Sequence, residues 1–432
     1  MKRYYCLVSL LLLFFSCGKE NTNDRIGLCS PVPKEAITRM SLSEAQKEYV
    51  NTGNTFAFKC LKDLSEKTTE SLIFSPLSLQ YALAMAANGA SGETREEIVN
   101  SLGYGKEIDE LNTFCNKLLN ELPALDLDVD LILSDAVIIS DKYKVKGAYE
   151  RILNGTFYAP VEYLDAKDKQ KTVDRINDWA SRNTKGVISP FISADEISDN
   201  FAAIILNALY FKSKWCKLGN AEMFLPENTL KNHPFYLLDG GNSKVDYMPK
   251  KCSTIPYCAQ NGYRVLGIPY SKEKFYFYVL LPDEVDGLQN MIADLSTSSW
   301  SDITAKFSYS TMVDFRIPKF EVESKHSLKE TLTRLGIVKA FDPTLATFDE
   351  LFETGSKGAN FSIGSILQKA KITVEEEGTK AAAVTGIIGV DEEGGVTEPP
   401  KEVVFYADHP FVFLIAEKTS GVILFEGVFT GR

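Results

Sequence analysis

Side chains suited to catalysis are sparse in this chain of 432 residues. Its histidines are His233, His326 and His409, and none belongs to an HExxH pair. There is no GxSxG elbow, no Walker loop and no GxGxxG turn, so hydrolytic, metal-assisted and nucleotide chemistry have no motif to rest on. Acidic residues number 58, which offers many accidental carboxylate pairs and singles out none. The spacing that does carry chemistry lies in EEEGTKAAAVTGIIGV, Glu375 to Val390, a neutral run held between the acidic clusters Glu375 to Glu377 and Asp391 to Glu393. Exposed neutral runs with β-branched members invite aggregation, and soluble proteins normally break them with charge. In an extended chain Thr379, Ala381, Ala383, Thr385 and Ile387 share one face, all small or apolar, while Lys380 falls on the other. Such a segment can join a sheet as an added strand. A Gly/Ala-rich surface loop and a permanently buried strand fit the same residues, and the run alone does not choose among the three.

The segments that must position this run are strongly patterned. Ser75 followed by Pro76 is a helix start, a capping hydroxyl before proline in the first turn, and Leu77, Tyr81, Leu83, Ala84 and Ala87 supply a buried face that ends at Gly89 or Gly92. FYFYVLLPDE, Phe275 to Glu284, is a continuous apolar run stopped by Pro282, as expected of a strand covered on both sides. Pro410 to Phe429 reads as two apolar strands about a Thr419, Ser420, Gly421 turn. Length alone suggests two or three domains, yet no internal linker or solenoid repeat is present, and the one weakly hydrophobic connector runs from about Gly18 to Lys47.

Taken in order, these pieces resemble the serpin family from Asn51 to the C-terminus. IFSPLSLQYALAMAANGASGETREEI, Ile73 to Ile98, is similar to the family helix that opens on Ser-Pro-x-Ser and closes on Asn-Gly-Ala-x-Gly-x-Thr. INDWASRNTKGVI, LNALYFKSKW, DFRIPKFEVES, FDPTLATF and YADHPFVFLIAEKTSGVILFEGV follow in the family's sequence order, with EEGTKAAA at the position of its loop hinge. The resemblance implies an α+β serpin fold: residues 46–432 as one domain of three β-sheets and eight or nine helices, with an exposed reactive-centre loop at about 375–403.

The function it implies is suicide-substrate inhibition of serine, or cysteine, endopeptidases. The loop is cleaved, an acyl complex forms, and the hinge folds into the central sheet; loop insertion of this kind is a recognised mode of strand addition and switching. The hinge maps to Glu377, Gly378, Thr379, Ala381, Ala382 and Ala383. The polar gate beneath the sheet's opening point maps to Ser75, Ser78 and Asn207, and the aromatic at the top to Trp215. Gln368 stands where the family commonly has a histidine, which puts the pH dependence of the gate in question while leaving an amide able to donate and accept. Counting from Gly378 puts the reactive bond at Glu392 and Glu393, with Val390 and Asp391 as alternates, and the loop is lengthened distally around Gly394, Gly395 and Thr397. An acidic residue before the cut selects a Glu/Asp-specific protease and Val390 an elastase-like one. The alternative is a non-inhibitory serpin-fold surface protein for binding or chaperoning; such members carry bulky or charged residues on the inserting face, where this chain keeps small ones. His409, within ADHPF, is read as structural.

Lys2 and Arg3 precede an apolar run, Tyr4 to Phe15, too short to span a bilayer and suited to a signal peptide. Ser16-Cys17 resembles a bacterial lipoprotein cleavage site, and Gly18-Lys19-Glu20 resembles the surface-export signal of Bacteroidetes lipoproteins. The expectation is residues 1–17 as signal with Cys17 lipidated, a polar tether over 18–45, and a cell-envelope lipoprotein at the outer-membrane surface or extracellular, whose only membrane contact is the anchor. An ordinary secretory peptide is the other reading. The net charge of −11 argues against nucleic acid. Glu107, Asp109, Glu110, Glu121, Asp126, Asp128 and Asp130 make the region where some serpins bind glycosaminoglycan acidic, so no heparin acceleration is expected. The chain is expected to work as a monomer without cofactor or metal. Cys29, Cys60, Cys115, Cys216, Cys252 and Cys258 form no CxxC framework; they are expected to be mostly buried thiols, with Cys252 and Cys258 close enough in sequence to pair.

Overall fold

The structure, a computed structural model, describes residues 31, 33–103, 108–197, 201–296, 298–353, 361–364, 366–379 and 402–432. In chain order its first half holds α1 (Glu44–Ser65), β1 (Leu72–Phe74), α2 (Pro76–Gly89), α3 (Gly92–Ser101), α4 (Ile108–Glu121), β2 (Asp130–Ser140), α5 (Gly147–Ile152), β3 (Val161–Leu164), α6 (Lys169–Asn183) and β4 (Ala203–Lys214). Next come β5 (Leu230–Tyr236), β6 (Asn242–Cys252), β7 (Tyr257–Ala259), β8 (Tyr263–Pro269), β9 (Phe275–Pro282), α7 (Leu288–Leu295) and α8 (Trp300–Thr304). The rest comprises β10 (Met312–Pro318), β11 (Phe320–Ser327), α9 (Lys329–Arg334), β12 (Leu367–Val374), β13 (Gly378–Thr379), β14 (Glu402–Tyr406), β15 (Phe411–Glu417) and β16 (Ile423–Phe429). Nine α-helices among the described residues agree with the expected number.

Among the described residues the strands form four ladders, two of which make up one split central sheet. A six-stranded sheet runs β1-β16-β15-β9-β8-β7, and a four-stranded one β14-β10-β6-β5. The third consists of two ladders, β11-β12 and β13-β4-β2-β3, joined only by the isolated bridge between Glu375 and Gly378. β9 is buried along its whole length between β8 and β15, which is why its sequence is apolar without alternation. β15 and β16 form the expected antiparallel hairpin, and Gly421 at its turn has a φ of 75°, a left-handed value that glycine adopts without strain.

α2 is the axle of the fold. Every residue from Pro76 to Gly89 except Gln80 is buried, because the helix is wedged between β16 on one side and β4 on the other. A helix covered all round needs an apolar circumference, and Ala82, Ala84, Ala86 and Ala87 also let the sheets approach closely. α6 covers the opposite face of the split sheet, with Ile176 and Trp179 packed on Ala136, Ile138, Leu206 and Ala208. Ile205, Leu209 and Phe211, the intervening residues of β4, point to the main core with α2.

The N-terminal expectation needs one adjustment. Within the stretch read as a tether over 18–45, Ile37 N–H donates to Ala124 O at 2.8 Å and Met40 is buried, so docking onto the body begins well before Glu44. The signal segment and Cys17 lie outside the described residues. Among the described residues no helix is long and apolar enough to cross a membrane. Cys252 and Cys258 are not paired: Cys252 ends β6, Cys258 sits on β7 in a different sheet with its thiol directed to Ile303 O, and both are free, as are Cys60, Cys115 and Cys216.

Candidate functional site

Where β12 ends, the chain turns back on itself. Glu375 and Gly378 exchange backbone hydrogen bonds of 3.1 and 3.0 Å, leaving Glu376 and Glu377 as the turn. Gly378 and Thr379 then run antiparallel to β4, opposite Lys214 and Ser213. Only glycine fits at 378. Its φ is 134°, and a Cβ there would lie 2.1 Å from Ser213 O and 2.7 Å from Lys214 Cα.

Trp215, immediately after β4, holds the turn from beneath. Its indole N–H donates to Glu375 O at 2.8 Å and its backbone N–H to Glu377 O at 3.3 Å. The ring stacks on Tyr270 with centroids 4.6 Å apart and planes within 8°. The hydroxyl of Tyr270 in turn meets that of Thr379 at 2.7 Å, in a position where Thr379 is 5% exposed. Glu376 is tied separately: its carboxylate accepts from Lys319 Nζ at 2.7 Å and from the Thr229 hydroxyl at 2.5 Å. Burial pushes the Glu376 carboxyl up, and the Lys319 and Thr229 bonds outweigh that, holding it below the usual range. One carboxylate oxygen of Glu377 is buried without a partner.

Below the turn β4 and β12 diverge. The slot between them leaves a cavity of about 20 Å³ and is walled by Leu209 and Phe211 of β4 and Ile372 of β12, with Thr379 at its head. Its backbone edges are those of two interior strands that no ladder joins among the described residues. Unpaired edges invite a further strand.

The expected gate residues fall into two groups on either side of this slot. Ser75 caps α2 by accepting from Ser78 N–H at 3.1 Å, and its own hydroxyl donates to Leu424 O at 2.7 Å. Gln368 on β12 clamps the same residue, donating to Ser75 O and accepting from Ser75 N–H, both at 2.8 Å. Asn207, across the slot on β4, is not joined to this group; its amide donates to Asp135 on β2 at 2.5 Å. Burial pushes the Asp135 carboxyl up to about 7, against the lowering effect of that bond. Ala381, Ala382 and Ala383 of the hinge, and Val390, Asp391, Glu392 and Glu393 of the reactive bond, lie outside the described residues.

Sequence reading missed Tyr270, Asp135, Lys319 and Thr229. Asp135 had a readable signal, a charged residue on the inward phase of an otherwise apolar strand, Leu133-x-Asp135-x-Val137. The others are distant in sequence from what they touch. His326 pairs in register with Gln368 from β11, and its ring, kept largely neutral by burial, contacts Ile73 O at 3.0 Å rather than the slot. His409 is buried between Asp408 and Pro282 O, a structural position.

Gly378 and Thr379 are thus seated on β4 at the head of a slot between two strands that no ladder joins among the described residues. The sequence profile of the Serpin family, described as serine protease inhibitor, matches residues 51–431. The chain is 32% identical over 373 residues to Serpin-Z3 of Arabidopsis thaliana, covering 82% of this chain and 90% of that protein. It is 30% identical over 405 residues to Iripin-8 of Ixodes ricinus, covering 91% and 96%. Among solved structures, the native state of the thermophilic serpin tengpin superposes with a TM-score of 0.79 at 25% identity, covering 93% of this chain and 98% of that one. AtSerpin1 of Arabidopsis in its native stressed conformation gives 0.76 at 26% identity, covering 90% and 99%. Sequence profile, relatives and split sheet agree, and the chain belongs to the serpin family of serine protease inhibitors.

Proposed function

We propose that this protein is a suicide-substrate inhibitor of serine endopeptidases with an acidic or small aliphatic preference, acting by insertion of its cleaved loop between β4 and β12. The observation that carries the reading is the seating of Gly378 and Thr379 on β4 above an open slot, followed in sequence by Ala381, Ala382 and Ala383. Bulky or charged residues there would block entry; these do not.

The covalent step belongs to the target. Its serine hydroxyl adds to the carbonyl of Glu392, the bond to the Glu393 nitrogen breaks, that nitrogen leaves as an amine carrying the proton, and Glu392 is held as an ester. The freed hinge then extends β13 down the slot before water reaches the ester. The driving force is strand pairing and burial that the uncut chain cannot complete.

The test is direct: mix the protein with a Glu-specific and an elastase-like serine protease, look for SDS-stable complexes, and sequence the released C-terminal peptide by mass. Release beginning at Glu393 or Asp391 is expected. Cleavage without complex by every protease tried, and no gain in stability on loop cleavage, favours a non-inhibitory binding role instead. Heparin is expected to leave the inhibition rate unchanged, because Asp109, Glu110 and Glu121 make the surface of α4 acidic. The proposed site of action is the cell envelope, through lipid on Cys17; the mass of the mature N-terminus checks it, and an unmodified residue downstream of Cys17 rejects it.

A further inference from the structure

Two polar side chains stand on a face of β2 and β4 that is otherwise apolar. Asp135 and Asn207 are register partners, flanked on the same side by Leu133 and Val137 of β2 and by Ile205 and Leu209 of β4. Asp135 is fully buried. Asn207 is half-buried, on the strand whose other edge no ladder joins beyond Ser213 among the described residues. The groups that face the carboxyl are the Asn207 amide from β4 and, from α4, the Cys115 thiol, the one titratable group among that helix's buried residues. α2 carries no charge, and Tyr81 is its one titratable residue. β3 joins β2 only from Val137 onward, and Tyr149 of α5 donates to Met85 O.

The pair has two arrangements. An ionised Asp135 accepts one bond, from Asn207 Nδ2 at 2.5 Å, and leaves its own Oδ2 and Asn207 Oδ1 buried without partners. A proton on Oδ2 turns that oxygen into a donor, which can then bond Asn207 Oδ1 and close a two-bond ring. Asn88 and Asn112 already make a reciprocal pair of this form, at 2.7 and 2.8 Å. A buried carboxylate with one neutral donor keeps most of its desolvation cost. The ring removes that cost, and so does water entering from the free edge of β4.

We propose that Asp135 and Asn207 form a proton-operated latch on the slot between β4 and β12. The protonated pair closes on itself and keeps the slot shut, and loss of the proton favours openings that let water reach the carboxylate. The proposal adds a regulator to the inhibitory reading above and rests on it only for its consequence, faster entry of the cleaved loop at pH 8 than at pH 6. The raised carboxyl of Asp135 places the change near pH 7. With an ordinary carboxyl in the open state, opening is about tenfold more frequent at pH 8 than at pH 6.

Cys115 can report the latch, because its buried thiol lies against the carboxyl, while Cys60 of α1, buried elsewhere in the core, reports global unfolding. The uncut protein is alkylated with iodoacetamide from pH 6 to 8, each cysteine is followed by mass, and rates are divided by the thiolate fraction of a free cysteine peptide. Cys115 is expected to label ahead of Cys60, with a corrected rate that rises about tenfold over this range. In Asp135→Asn, whose amide closes the ring at every pH, the rate should be flat; Asp135→Ala replaces it should that variant fail to fold. Equal rates at Cys115 and Cys60, or an unchanged slope in the variant, overturn the latch while SDS-stable complexes leave inhibition standing. Cleaving the loop ties the latch to the slot: with a strand seated there, Cys115 should slow to the Cys60 rate. Unaltered Cys115 labelling in a cleaved protein that has gained stability also overturns the proposal. A cleaved protein with no gain overturns the inhibitory reading instead, and the uncut protein alone then decides the latch.

Discussion

Asn207 Nδ2 lies 2.5 Å from Asp135 Oδ1 across the β4–β2 pair, and the remaining oxygens of both side chains are buried without partners. The carboxyl faces the Cys115 thiol of α4, and no cation is paired with it among the described residues.

Burial pushes Asp135 up to about 7, so the folded protein holds a proton between roughly pH 4 and 7 that the unfolded chain releases. Stability therefore falls as pH rises through that window. Asp135→Asn is expected to flatten the dependence and to stabilise the uncut protein at pH 8 by at most about 4 kcal/mol. Guanidinium unfolding of both proteins from pH 5 to 8 decides it; parallel curves reject the assignment.

Thr379→Arg places a guanidinium where the hydroxyl now meets Tyr270, at a buried position. An unpaired charge there costs several kcal/mol. Proteases should still cut the loop, while the yield of SDS-stable complex drops roughly tenfold or more. Full complex formation by this variant would contradict insertion.

Glu376 anchors the turn through Lys319 and Thr229. Its lowered carboxyl contributes stability that is present near neutral pH and lost on acidification below the ordinary glutamate range. For Glu376→Gln we expect a loss of about 1 kcal/mol, discounted for partial exposure. Amide exchange at Trp215 and Gly378, whose N–H groups close the turn, should quicken about fivefold, and unchanged exchange there counts against the anchor.

Glu426, on β16, is fully buried with both carboxylate oxygens unpartnered, and burial raises its carboxyl well above the ordinary value. Here too the folded protein retains a proton that the unfolded chain loses, so stability drains away as pH climbs above about 4.5. Glu426→Met fills similar volume without the desolvation cost and should raise the unfolding temperature at pH 8 more than at pH 5. A lower temperature at pH 8 would mean the carboxyl has a partner that the variant removes.

Much of this was legible in the chain. The Ser75-Pro76 cap and the unbroken apolar run of β9 follow from local rules of spacing and burial, and the structure bears them out; of the alternating small residues after Gly378 only Thr379 is described, seated on β4. What local rules cannot give is which distant residues meet. Gln368 and Ser75 are 293 positions apart, and their reciprocal bonds were approachable only through the family resemblance. Tyr270 ends a stretch with no periodic signal, yet it fixes Thr379. Asn207 was grouped with Ser75 and Ser78, but the slot divides them, because a buried carboxylate on β2 competes for its amide.

β4 begins at Ala203, and the register fixed at its other end sets how far a strand must travel to clear it. Gly389 would come to rest opposite Ala203, Val390 one residue past the edge and Glu392 three past it. The thirteen residues from Lys380 to Glu392 span roughly 43 Å when extended, so an esterified protease would be carried nearly the full length of the sheet and left beyond its rim. A cut after Val390 would leave the enzyme about two residues, roughly 7 Å, nearer the body. On the proposed mechanism the length of one strand would work as a ruler, and moving the cut by a single residue should change how hard the captured enzyme is pressed against the base of its captor.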